Sequence, residues 1–471
     1  SFSVDGTINS VNIGKGANSV AGNTVLGESA LDASVSGQNN TAIGKQAFTA
    51  LTSGASGVAV GSGSLMTATT GNNNTAVGKD SLKFTTTGAS NTAVGMGSLE
   101  ANTTADNNTA VGKSALVANT TGARHTAVGA EALDANTTAD DNTAFGYQAL
   151  TANTTGNCNV AVGRGALASN TTAQSNTAVG NNSLTTNSTG ASNTALGRDA
   201  LVLNSTGSYN TALGHLALDA ATTANSNVGV GYAALGAATT GANNTAVGTN
   251  SLDANTTGDS NVAVGQASLG SNTTASFNTA VGFQALTDNT TANACSAFGY
   301  NALRVNTTGA NNVAFGYEAL TTNTTGTQNI AIGSFSLDAN TTASNNTAVG
   351  YGSLGANTTG TQNTSVGAYS LDANTTGGQN TAIGEASLGG NTTASSNTGI
   401  GYHALKVNTT GISNVAVGSQ ALDANTTADN NTAVGRATLG VNTTGANNVA
   451  LGTYALDANT TANNNVAVGV Y

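Results

Sequence analysis

Three histidines, two cysteines and a few runs of acids and amides are the side chains of this 471-residue chain most able to do chemistry. His125, His215 and His403 could act as general bases or as ligands of a zinc ion. Cys158 and Cys295 could pair in a disulfide. Asp106-Asn107-Asn108 and Asp140-Asp141-Asn142 have the oxygen-rich character of a cation-binding turn. Asn-Thr-Thr recurs along the chain and has the form of a glycosylation acceptor. Threonine columns of this kind could also order water as an ice template. Each possibility needs its residues brought together, so the elements that would position them decide the matter.

Those elements repeat. Glycine recurs every 17 residues without a slip from Gly27 to Gly469, which makes 27 copies. Such strict self-similarity marks a repeat array. The consensus unit is Asn-Thr-Ala-Val-Gly-x-x-Ala-Leu-x-x-Asn-Thr-Thr-Gly-x-x. Gly78, Gly112 and Gly248 represent the glycine column, and Val111 the large apolar residue before it. Leu82, Leu116 and Leu252 represent the leucine four residues after it, and Asn102 the asparagine seven after it. Alanine stands two before the glycine in 23 of the 27 units, as at Ala76, Ala93, Ala110, Ala246 and Ala263.

Seventeen residues are too few for a helical hairpin repeat. Asn-Thr-Ala-Val-Gly alternates instead, so Thr and Val share one strand face and Ala takes the other. A one-residue insertion would invert the faces, and the array contains none. Proline is absent from the chain, as a continuous parallel ladder requires. The reading is all-β: a parallel β-solenoid, or β-roll, with one 17-residue coil per unit. Residues 1–26 form an irregular entry segment and 27–471 the shaft. At a strand spacing of about 4.8 Å, the array predicts a rod on the order of 125 Å long.

The columns then acquire roles. Val and Leu are expected to stack inside the coil, and glycine to make a turn that needs positive φ or close backbone approach. The Asn102 column is expected to form an amide ladder. Thr-Thr-Gly is expected to form a second short strand. Ala, opposite Val, should then point outward as a small apolar stripe, and such stripes mark interfaces. Ala76, Ala93, Ala110, Ala246 and Ala263 are therefore the expected seam between rods, most simply in a homo-trimer.

The geometry answers the chemical possibilities. The cysteines lie eight coils plus one residue apart, about 38 Å along the axis, far beyond disulfide reach. Cys158 sits in a variable turn column and Cys295 replaces the Asn that opens the strand, so both read as tolerated substitutions. The three histidines fall in different columns and read as surface residues. The Asp runs lack the Gly-Gly-x-Gly-x-Asp pattern of calcium repeats, so no metal site is expected. Thr103 and Thr104 should face opposite ways, which argues against an ice-binding array. The sequon follows from the repeat itself. No catalytic residue, cofactor or metal is expected, and the chain reads as a non-enzyme.

Composition agrees with a scaffold. Charged residues make up 7% of the chain and the net charge is −11, with no basic patch, which argues against nucleic-acid binding. No apolar run approaches the length of a membrane helix, so membrane insertion is not expected. Low charge could indicate disorder, but a disordered chain has no reason to keep its apolar columns in phase.

Units such as Asn142 to Gly156 resemble the repeats of bacteriophage tail-fibre proteins, which also occur in bacterial proteins with a tail-fibre domain. Val11-Asn-Ile-Gly-Lys-Gly16 followed by Asn23-Thr-Val-Leu-Gly27 resembles the start of such fibre regions. Asn-Thr-Ala-Val-Gly is similar to the head repeat of trimeric autotransporter adhesins, whose heads are left-handed, trimeric parallel β-rolls. The resemblance covers about residues 11–471. It implies a left-handed trimer and a structural fibre shaft on the virion surface, holding a receptor-binding tip and touching other virion proteins. A host receptor or glycan and end-to-end filaments are further partners it allows. The alternative is a bacterial cell-surface adhesin or extracellular matrix filament. Because every coil offers nearly the same surface, the shaft is expected to be passive.

Overall fold

The computed structural model describes residues 6–471. The chain divides into two units, Ser1–Thr240 and Gly241–Tyr471, each a stack of 17-residue coils. In the first, β1 (Gly6–Ile8) pairs antiparallel with β2 (Val11–Gly14), and β2 antiparallel with β3 (Thr24–Gly27). From β3 onward pairing is parallel, first with β4 (Thr41–Ile43) and ending at β15 (Val228–Val230). The second unit runs from β16 (Thr245–Val247) to β29 (Val466–Val468), again one strand per coil. Register is fixed by the repeat: Thr75 pairs with Thr92, Ala76 with Ala93 and Val77 with Val94. The parallel β-solenoid expected from the glycine period is the observed fold.

Which strand face points inward is the reverse of the expectation. Ala76, Ala93, Ala110, Ala246 and Ala263 are fully buried inside their own chain. Val77, Val94 and Val247 are exposed, and Val111 is half-buried. The alanines therefore line the coil and cannot form a seam between chains. The reason is volume. Leu82, Leu116 and Leu252 already fill the interior, together with the small Ser81, Ala115 and Ser251. Interiors pack to crystal density, so the strand facing those leucines has room only for a methyl group. Period-two alternation settles which residues share a face but not which face is inside.

The Thr-Thr segment is a second correction. It forms no strand, although the Thr103 N–H and Oγ1 both donate to the Thr120 carbonyl of the next coil, at 3.0 and 3.1 Å. The backbone groups are satisfied once per coil without an extended run.

The coil closes through positive-φ residues. Gly78 has φ 138°, Gly112 137° and Gly248 134°. A methyl built on Gly248 would lie 2.6 Å from the Gly265 carbonyl oxygen, so glycine is needed for packing as well as for conformation. The leucines also sit in the left-handed region, at φ 49° for Leu82, 53° for Leu116 and 52° for Leu252. Two further columns share it, at Asp80 (56°) and Ser114 (57°) and at Ser90 (60°) and Asn107 (62°). Each such residue costs roughly 1–2 kcal/mol, a strain that the surrounding packing holds in place.

Candidate functional site

The recurring polar machinery lies in the interior. In the expected Asn102 ladder, Asn119 Nδ2 donates to Asn102 Oδ1 at 3.2 Å and Asn136 Nδ2 to Asn119 Oδ1 at 2.8 Å. Each amide also reaches a carbonyl three residues on, as Asn119 Nδ2 does to Gly122 O at 2.9 Å. The ladder is interrupted where Ala221 and Ala238 replace asparagine in successive coils. One coil earlier, Asn204 Oδ1 is buried without a hydrogen-bond partner.

A second ladder, which sequence reasoning missed, is built by the asparagine that opens each strand. Asn108 N–H donates to Asn91 Oδ1 at 2.9 Å, and Asn108 Nδ2 donates to Gly122 O at 3.0 Å. His125 occupies this column and is buried, not on the surface as its sequence position suggested. Its N–H donates to Asn108 Oδ1 at 2.9 Å, and its Nδ1 accepts from Asn142 N–H at 3.1 Å. Its Nε2 lies 2.6 Å from Ala139 O. The neutral ring with the proton on Nε2 thus reproduces both functions of an asparagine amide. Burial, the largest influence, holds its pKa below the ordinary value. Cys295 stands in the same column. Its N–H donates to Asn278 Oδ1 at 2.9 Å, its thiol to Gly309 O at 3.3 Å, and burial pushes the thiol up to about 11. An un-ionised thiol this far up is a poor nucleophile. Cys158 is exposed.

The acid–amide runs are divided among separate tasks. Asp106 Oδ1 accepts from Ala89 N–H at 2.6 Å and Asp140 Oδ1 from Ala123 N–H at 2.7 Å. Asp141 takes a two-pronged bond from Arg124, at 2.6 and 2.8 Å, which lowers its pKa. Asn108 and Asn142 are buried in the second ladder. His215 is exposed, 5.7 Å from the Tyr232 ring, and His403 stacks on Tyr402 at 3.7 Å. The structure brings no two of the three histidines together.

One stretch of the second unit departs from uniformity. Phe283, Tyr300, Tyr317, Phe335, Tyr351 and Tyr369 come from six consecutive coils, one or two residues after the repeat glycine. Their ring centroids follow one another at 5.4, 5.1, 5.3, 5.9 and 5.3 Å. The first three rings are near-parallel, within 9°; the later pairs meet edge to face. All except Phe335 are 39–49% exposed. Asn301 Oδ1, in the coil of Tyr300, is buried with no hydrogen-bond partner. Asp338 and Asp372 approach each other over Gly355, where a built methyl would lie 3.4 and 3.6 Å from their oxygens. Burial raises the pKa of both. Beyond Tyr369 the surface opens into a groove of about 450 Å³, lined by Tyr369, Asp372, Gly389, Gly390, Lys406 and Val407. The signal was present in the sequence as a run of aromatics in phase with the glycine.

Compared with known proteins, the chain matches no family model, and no curated protein matches it.

Proposed function

We propose that the chain is a structural fibre shaft of a phage virion, of the tail- or head-fibre kind, that holds a receptor-binding tip at the virion surface. The observation that carries this reading is the coil-to-coil bonding within each unit. Two buried amide ladders and a closely packed glycine column join successive coils by recurring bonds, the first ladder running wherever its column holds asparagine. Stability of this kind adds coil by coil, as a spacer of selectable length needs. The resemblance of Asn142 to Gly156 to tail-fibre repeats supports the virion over the alternative, a bacterial adhesin or extracellular filament. The proposal keeps a homo-trimer but moves its seam to the outward Val column, where Val77, Val94 and Val247 are exposed. Negative-stain microscopy with native mass measurement tests it. Slender trimeric particles are expected; a globular particle refutes the shaft, and a stable monomer refutes the trimer. Neighbouring capsid and tail genes would favour the virion, and an anchor domain on the precursor the adhesin.

A further inference from the structure

We infer that the aromatic ladder Phe283–Tyr369 and the groove that continues it form a binding strip for an uncharged polysaccharide. The inference goes beyond the shaft reading and does not depend on it.

The ladder is local. In a repeat array, a residue type that every coil needed would fill its column. The same column instead holds Lys45, Ser62, Lys79, Met96, Lys113 and Ala130 in earlier coils, and those coils fold identically. Stacking is therefore no requirement of the coil. Half-exposed rings left in water forgo the gain of burial, and a contiguous exposed patch of them marks an interaction surface.

The chemistry selects a sugar chain. Where a ring presents its edge to a neighbour's face, its own faces stay uncovered by that neighbour, and the edge-to-face run from Tyr317 to Tyr369 contains such rings. Ring faces attract the weakly positive C–H groups of a pyranose through the aromatic quadrupole. Four of the six rings carry a phenol hydroxyl, and Asp372 lines the groove beside the last of them. Aromatic faces beside hydroxyl and carboxylate groups suit a ligand that is apolar on one face and hydroxyl-rich at its rim. Centroid steps of 5.1–5.9 Å match the advance of an extended glycan, about one sugar per coil at strand spacing.

Charge narrows the class. Glu318 sits beside Tyr317, and Asp338 interacts with both Glu318 and Asp372, whereas the groove holds the single cation Lys406; this acidic excess disfavours a polyanion. In the groove, Gly389 and Gly390 remove side chains that other coils carry, while Asp372 and Lys406 supply an acceptor and a donor. About 450 Å³ falls in the range of small-ligand sites.

Affinity electrophoresis tests the assignment. The full chain is run through gels holding hydroxyethylcellulose, galactomannan or soluble starch, and through one holding alginate. Retardation by at least one neutral polymer and none by alginate is expected. The triple variant Tyr317→Ser/Tyr351→Ser/Tyr369→Ser should bind at least about tenfold more weakly, and Tyr147→Ser should match the parent. Serine already occupies these columns at Ser62 and Ser114, so the coils accept it; far-UV spectra check that they do. Should the variant fail to fold, the parent's ultraviolet difference spectrum decides, because the chain has ten tyrosines and no tryptophan. A tyrosine perturbation on adding the retarding polymer is expected. Absence of retardation by every neutral polymer, retardation by alginate alone, undiminished binding by a folded triple variant, or an unperturbed tyrosine spectrum would each overturn the inference.

Discussion

His125→Asn should remove a pH dependence that the buried ring imposes on its part of the solenoid. The ring serves the second ladder only when neutral, because Nδ1 must accept the Asn142 N–H. Protonation would set two donors against each other in a site without water access. The folded pKa is accordingly depressed below the ordinary 6.5, with burial the main cause. Below that pH the unfolded segment takes up a proton that the folded one refuses, so stability is complete above about pH 6.5 and falls as pH falls. For a ring that stays neutral while folded, the loss at pH 5 works out at about 2 kcal/mol, which is the ceiling of the effect. In a quasi-one-dimensional array the damage is confined to neighbouring coils. Hydrogen exchange of peptides covering residues 108–142, measured at pH 5 and pH 7.5, reads local opening directly. The parent should lose protection at low pH relative to His125→Asn, which restores the column's usual amide. Equal pH dependence in the two proteins would show that the ring is not held neutral by the ladder.

Other outcomes follow from the same geometry. Gly112→Ala should lose several kcal/mol, since its φ of 137° excludes side chains and a methyl would press into the Gly129 carbonyl; an unchanged melting curve would contradict this. Leu252→Ile keeps hydrophobicity and volume but places a β-branched residue at φ 52°, so it should cost more than Leu252→Met in denaturant unfolding. Ala93→Glu should unfold its coils, whereas Val94→Thr should stay within about 0.5 kcal/mol of the parent. Calorimetry that ranks the two the other way would restore the alanines to the outside.

Much of the fold was legible because the signal was periodic. Gly27 to Gly469 set the coil, Leu82 and its copies the interior, and Asn102 an amide ladder. Thr75 and Val77 announced a shared face, but alternation is symmetric about the strand, and only the volume left beside Leu82 assigns Ala76 to the inside. The left-handed leucines left a trace in what is missing. None of the three positive-φ columns holds a valine, isoleucine or threonine, the β-branched types that conformation excludes. The consensus identifies preferred residues and hides forbidden ones. His125 was illegible for another reason: its likeness to asparagine lies in the placement of two ring nitrogens, which residue type alone does not express. The aromatic strip was passed over because a consensus averages away what one stretch does differently.

The pairing of Thr75 with Thr92, seventeen residues on, also bears on how such a chain acquires its structure. Parallel sheets usually fold slowly, because partners distant in sequence must meet and loop closure grows costlier with separation. Here each parallel partner within a unit is one coil away, so the separation stays at 17 residues however many coils are added, and the fraction of the chain spanned by a contact shrinks as the array lengthens. The antiparallel turn-back of β1, β2 and β3 precedes the parallel coils in the chain and so leaves the ribosome before them. Asn119 donates backward to Asn102, and Asn136 to Asn119, so each newly made coil brings its donor to an acceptor already in place. Synthesis and folding can therefore advance in the same direction, one coil at a time.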